Sequence, residues 1–186
     1  MLVDAAAVRA AVDGVPDPEL PAVTIGMLGM VHDVRIDADA DAVDIDILPT
    51  FSGCPATEMI ARDVRTAVTA VVGDIEVRVR FLFEPMWTPA RIDATGRERL
   101  REFGITPPRA EHSRGPVVVP LSPAARGDAD RGSWHATGGG SAALVATCPY
   151  CGSDETDTDS PFGPTPCRSL HYCRNYRQPF EAFKDL

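Results

Sequence analysis

Apolar residues in the first hundred positions recur with two different periods, and the switches between them mark out the elements. From Val31 to Ile36 and from Val43 to Leu48 the pattern alternates: Val34 and Ile36 stand against Asp33 and Arg35, then Val43, Ile45 and Ile47 against Asp44 and Asp46. A period of two with one wet face predicts two strands, and the aspartate-rich stretch Asp37 to Asp41 is short enough to join them as a hairpin. Asp4 to Val12 predicts a short amphipathic helix ending at Asp13-Gly14. Pro16, Pro18 and Pro21 cannot continue it, because each removes a donor and restricts its predecessor. After Gly53-Cys54, Pro55 suits the first helical position and Glu58 the positive first turn. Ala56, Ile60, Val64, Ala67 and Val71 then recur at helical spacing opposite Glu58, Arg62, Arg65 and Thr69. Ile75, Val77, Val79 and Phe81 alternate with Glu76, Arg78 and Arg80 as a third strand, and a last helix covers Thr95 to Phe103, stopped by Gly104. This order describes an α+β domain over residues 1–108, a small mixed sheet with helices packed on it.

The texture then changes. Residues 109–143 contain Pro116, Pro120, Pro123 and the run Gly138-Gly139-Gly140-Ser141, which break every period and predict a linker. His112, Trp134 and His135 are read as solvated linker residues. Residues 144–186 hold four of the five cysteines and predict a small all-β zinc-ribbon module, in which two turns pinch one tetrahedral ion. Such a short module lacks a sufficient core, so metal binding is also its folding energy. The first turn, Cys148-Pro149-Tyr150-Cys151-Gly152, is intact; the second, Cys173-Arg174-Asn175-Tyr176, has tyrosine where a Cys-x-x-Cys repeat ends in sulfur. If residues 167 to 173 run as a strand, Cys167 and His171 share the face that bears Cys173. The ligand set is then Cys148, Cys151, Cys173 and Cys167, with His171 as the alternative fourth ligand.

Charge and composition narrow the function. Formal net charge is −9 and falls mostly on the first half of the chain, a surface that repels phosphate backbones and argues against nucleic acid. No apolar run approaches a membrane span, and Met1-Leu2-Val3-Asp4 carries no leader pattern, so the expectation is a cytoplasmic protein with no membrane partner. In a reducing compartment, Cys148-x-x-Cys151 is better read as a metal site than as a disulfide. Cys54 stands alone at the start of a helix, where unpaired N–H groups and the positive dipole end favour thiolate over thiol; spacing alone leaves equally open a cysteine that is simply buried and inert. The chain has no Walker loop, no Gly-x-Gly-x-x-Gly after a strand and no Glu-x-x-His pair for a di-iron bundle.

Asp17-Pro18-Glu19-Leu20-Pro21, Leu28-Gly29-Met30-Val31-His32-Asp33-Val34, Thr50-Phe51-Ser52-Gly53-Cys54-Pro55 and Glu84-Pro85-Met86-Trp87 together resemble the MIP-type family of metal–sulfur cluster biosynthesis domains. With Arg97 to Pro108 and the ending Gln178-Pro179-Phe180-Glu181-Ala182-Phe183-Lys184, the chain is similar to the PaaD (PaaJ) family, the D subunits of phenylacetyl-CoA epoxidase. That resemblance implies a non-enzymatic accessory subunit of phenylacetate catabolism. It would assist iron or iron–sulfur centre maturation in the other subunits, the oxygenase and reductase, and a homodimer is left open. It also implies that Cys54, with Asp17 and Glu19, forms a transient iron or iron–sulfur cluster site, while the ribbon holds structural zinc. The alternative is a purely structural assembly subunit that docks onto the oxygenase, with Asp17 and Glu19 serving the turn. Tyr176 departs from the family pattern, in which a cysteine is expected. Trp87 is read as a core or interface anchor.

Overall fold

The computed structural model describes residues 3–37, 39–108 and 146–184. The linker expected over 109–143, with His112, Trp134 and His135, lies outside the described residues.

Helix α1 (Ala5–Asp13) starts where Asp4 accepts the Ala6 N–H at 2.9 Å, and it buries Val8 and Val12. Strands β1 (Val31–Asp37) and β2 (Ala42–Ile47) pair antiparallel. Helix α2 (Thr57–Val72) then crosses over to β3 (Glu76–Phe81), which pairs parallel with β2, giving a mixed sheet in the order β1-β2-β3. The apolar positions of β2 and the inner face of α2, namely Val43, Ile45, Ile47, Ile60, Val64 and Val68, are fully or nearly fully buried against one another. After a short 3-10 turn (Pro89–Arg91), α3 (Ala94–Glu102) is capped by Asp93, which accepts the Gly96 N–H. The predicted elements are all present with ends shifted by a residue or two. The largest shift is at α2, which starts at Thr57 because residues 55 and 56 form a turn before it.

The second sheet joins the two halves of the chain. Strand β4 (Ile105–Thr106) leaves α3 and pairs parallel with β7 (Gln178–Phe183), which pairs antiparallel with β6 (Arg168–Cys173), and β6 with β5 (Thr156–Ser160). The main buried cluster runs without a break from Val8 and Val12 through Leu100 and Ile105 to Cys167 and Phe183. Trp87 anchors this junction: its indole N–H donates to the Leu28 carbonyl at 2.8 Å, and its ring lies 5.8 Å from that of Phe183. Burying a phenylalanine in this way contributes roughly 1.5–3 kcal/mol. At the other end of the junction Gly104 has φ +81°, a conformation that favours glycine, and a Cβ there would stand 2.5 Å from the Tyr150 hydroxyl, so a side chain would be strained and would also displace that ring.

On the wet face of the first sheet, Asp46 of β2 is nearly buried between Arg35 of β1 and Arg80 of β3, at 2.7 and 2.9 Å. Burial alone would raise its pKa, but hydrogen bonds from Arg80 and Arg35 outweigh it and hold the carboxyl below its ordinary 3.8. A carboxylate stabilised in this way contributes fully above the ordinary value, and its contribution is lost as pH falls through the lowered folded value. Asp46→Ala should therefore cost about 2 kcal/mol at neutral pH in urea unfolding. The gap to wild type should close on acidification below 3.8. An equal gap at all pH values would show that the carboxylate's charge plays no part.

Candidate metal centres

Cys148, Cys151 and Cys173 bring their sulfurs to within 4.8 Å of one another, the only such group of ligand atoms among the described residues. Two turns of matching geometry present them. Gly152 N–H bonds the Cys148 carbonyl at 2.9 Å and Arg177 N–H bonds the Cys173 carbonyl at 2.8 Å, with φ +72° at Gly152 and +58° at Arg177. The second turn thus keeps the backbone of a metal-binding knuckle, although Tyr176 replaces its last sulfur. Cys151 and Cys173 lie 3.6 Å apart, close to the about 3.8 Å separating two sulfurs on a tetrahedral ion at 2.3 Å. Burial pushes the Cys173 thiol up, but the Tyr176 N–H, 3.2 Å from its sulfur, and the thiols of Cys148 and Cys151 hold it below its ordinary 9.0. The spacing and the all-sulfur donor set fit a thiophilic divalent ion such as zinc. The Tyr176 ring is turned outward and stacks on Tyr150 at 5.1 Å.

Neither expected fourth ligand is in this group. Cys167 stands just beyond the far end of the six-residue strand β6 from Cys173, and that length of strand spans about 20 Å. Its sulfur is 3.2 Å from the Thr165 hydroxyl and is packed in the main core. His171 is nearer in sequence, but its ring stacks on Phe180 at 5.4 Å, with Nε2 2.9 Å from the Ser169 hydroxyl and Nδ1 3.4 Å from that of Thr158. Burial lowers its basicity, so it is a neutral, satisfied core histidine.

Cys54 lies between β2 and α2, where its N–H bonds the Phe51 carbonyl at 3.1 Å and its own carbonyl accepts the Thr57 hydroxyl at 3.3 Å. It is half-buried and packs against the main core. Asp17 and Glu19, from the Pro-rich turn, are within electrostatic range of its sulfur. Asp17 is buried and also shapes that turn, its Oδ1 accepting the N–H groups of Glu19 and Leu20 at 2.9 Å. Burial raises the Asp17 carboxyl, and burial together with the Asp17 charge raises that of Glu19. Of the two readings of Cys54, the environment favours the protonated thiol: burial, with the charges of Glu19 and Asp17, outweighs the Ala56 N–H and lifts the thiol above its ordinary 9.0.

Two residues that sequence reasoning placed elsewhere, or did not consider, complete this neighbourhood. The Cys167 thiol is lifted mainly by burial and also by Glu19 and Asp17, and it acts in turn on Cys54. Arg168, nearly buried, donates to Thr165 at 2.7 Å and to Glu181 at 2.6 Å, and its charge partly offsets those of Asp17 and Glu19. No local signal joins residues 17, 54 and 167: folding of the first domain brings 17 within electrostatic range of 54, and packing of the ribbon adds 167. With the ribbon loaded with zinc, Cys54 should react with a maleimide more slowly at neutral pH in folded than in denatured protein, and faster as pH rises, read by peptide mass spectrometry. Faster labelling of the folded form would mean an activated thiolate and contradict the raised thiol.

Residues 5–79 match the family model described as "Iron-sulfur cluster assembly protein", and residues 133–184 match "PaaD zinc beta ribbon domain". An Escherichia coli protein, the putative D subunit of 1,2-phenylacetyl-CoA epoxidase, is 38% identical over 91% of this chain and 86% of its own. An Fe-S protein maturation auxiliary factor of Porphyromonas gingivalis is 36% identical over 48% of this chain and 80% of its own. A crystal structure of a DUF59 domain from Bacillus anthracis aligns with 52% of this chain and 90% of that one, at 30% identity and a TM-score of 0.48. With an iron–sulfur cluster assembly domain followed by a PaaD zinc ribbon, and with this identity sustained along nearly its whole length, the chain belongs to the PaaD family.

Proposed function

We propose that this protein is a non-catalytic accessory subunit of a phenylacetyl-CoA epoxidase system that handles iron, or an iron–sulfur unit, on its way into the other subunits. The reading rests on one arrangement: a half-buried thiol, Cys54, within electrostatic range of the carboxylates of Asp17 and Glu19. Thiolate with carboxylate suits iron, and an incomplete ligand set facing solvent suits transfer better than storage. Because the thiol is protonated at rest, the cargo is captured by displacing a proton, so uptake strengthens as pH rises. The names of the Escherichia coli and Porphyromonas gingivalis relatives support, respectively, the place in the epoxidase and the maturation role. No described helix is long and apolar enough to cross a membrane.

Cys148, Cys151 and Cys173 would hold a structural zinc, which supplies cross-linking of the two knuckles when bound. These residues orient three thiolates, and the ribbon core of Ala146, Phe180 and Ala182 keeps water from their inner side.

Cys54→Ser should leave the protein folded and lower the iron content of co-expressed oxygenase or reductase several-fold, measured by elemental analysis of the purified partners. Normal loading would favour the purely structural role. Tyr176→Cys should complete a four-thiolate knuckle pair and raise zinc affinity at least tenfold in competition with a chromophoric chelator. Unchanged affinity would show that the fourth ligand already comes from elsewhere.

A further inference from the structure

Strand β3 is an edge of the first sheet, whose order is β1-β2-β3. Two bonds to β2 bracket it, from the Glu76 N–H to the Asp41 carbonyl at 3.3 Å and from the Leu82 N–H to that of Ile47 at 2.8 Å. Alternate residues of a parallel pair face the neighbour, so Glu76, Arg78 and Arg80 direct their backbone groups to β2, while Val77 and Val79 turn theirs to the edge. A row of this kind is a template for another strand. The other edges among the described residues are blunted. Strand β1 shifts register between Val31 and Asp33, and the Asp33 carboxylate accepts the Val34 N–H at 2.9 Å. Strand β5 is bulged between Thr158 and Ser160, and β4 is two residues long. By contrast β3 keeps an unbroken register, has no proline, and turns Val77, Val79 and Phe81 toward the core.

We propose that β3 is the two-fold interface of a homodimer, pairing antiparallel with β3 of a second copy about an axis at Val77, so that two three-stranded sheets join into one. The occupant follows from the order of charges along the strand, acidic before Val77 in Asp74 and Glu76 and basic after it in Arg78 and Arg80. An antiparallel copy in this register sets Glu76 opposite Arg78, Asp74 opposite Arg80 and Ile75 opposite Val79, on both sides of the axis. Every charge then meets its opposite and every apolar residue an apolar one. The backbone agrees. Residues 77 with 77 and 75 with 79 fall in hydrogen-bonded pairs, and these are the ones whose groups face the edge; Glu76 and Arg78 fall in the pair type whose side chains lie closer. Alternation of charge continues into the sheet, since β2 places Asp44 beside Arg78 and Asp46 beside Arg80. Sliding the copy by two residues would set Arg78 against Arg78, so repulsion as well as attraction selects the register. A strand of a different protein would need this same inverted order of charges; a second copy has it by symmetry. Both β2 and β3 run toward the end of the sheet that leads to Cys54, so the axis holds the two Cys54 ends apart.

The test is sedimentation equilibrium of the full chain in the presence of zinc, where wild type should reach twice the chain mass. Arg78→Glu sets a carboxylate against Glu76 of the other copy and should raise the dissociation constant by about tenfold or more. Glu76→Arg should do the same. Glu76 and Arg78 also pair within the chain at 2.5 Å, and exchanging both keeps that contact while restoring each pair across the axis. The double variant Glu76→Arg, Arg78→Glu should therefore return dissociation to within about threefold of wild type. A wild type still monomeric at about 0.1 mM would overturn the proposal. So would a dimer indifferent to Arg78→Glu, or a double variant no better than the single ones. On the unaltered chain, amide exchange followed by NMR should slow at Val77 and Val79 as protein concentration rises, and more than at Arg78, whose N–H already faces β2. Exchange at Val77 and Val79 that ignores concentration would refute the interface.

Discussion

The contact between the ribbon and the first domain governs the rest of this molecule. Trp87 against Phe183, the β4–β7 pairing and the close pass at Gly104 fuse two modules into one core. Neither module is large, and among the described residues the ribbon's own buried cluster is Ala146, Cys148, Cys173, Phe180 and Ala182. A cluster of that size cannot offset the ordering of its chain, so the ribbon draws on the first domain's core at one end, while at the other its cysteine triad is placed to gain further stability from a metal. The two ends of β6 express this division: Cys173 faces the metal knuckles and Cys167 the first domain.

The knuckles show how backbone geometry can outlast a ligand. Arg177 adopts a left-handed conformation that costs a non-glycine residue on the order of 1 kcal/mol, yet it does so to repeat the turn that Gly152 makes without strain. The Tyr176 N–H still points at the Cys173 sulfur, as a metal-bound thiolate requires, while the tyrosine ring stacks outward on Tyr150. A tyrosine in the last knuckle position thus withholds one sulfur without dismantling the turn that would present it.

At Cys54 two local effects oppose each other. A position just before a helix offers N–H groups that lower a thiol's pKa, and this is visible in the pattern Gly53-Cys54-Pro55 before an amphipathic run. Burial and two nearby carboxylates act the other way and prevail, since removing a charge from water costs more than one N–H returns. The outcome is a guarded thiol, less ready to ionise than a free cysteine.

Periodicity in the sequence carried the strands, helices and mixed α+β order, because a one-sided core imposes its period on every element it buries. Cys148-x-x-Cys151 with a later Cys173 announced the knuckles for a similar reason, since ligands separated by two residues share one turn. Cys167 and His171 share a strand face with Cys173 yet lie outside the close group of sulfurs, because facing the same side of a strand says nothing of distance along it. The meeting of residues 17, 54, 167 and 168 arises where two separately patterned modules pack face to face. Only folding in three dimensions settles such an encounter, because no period, cap or turn encodes a contact between surfaces so far apart in the chain.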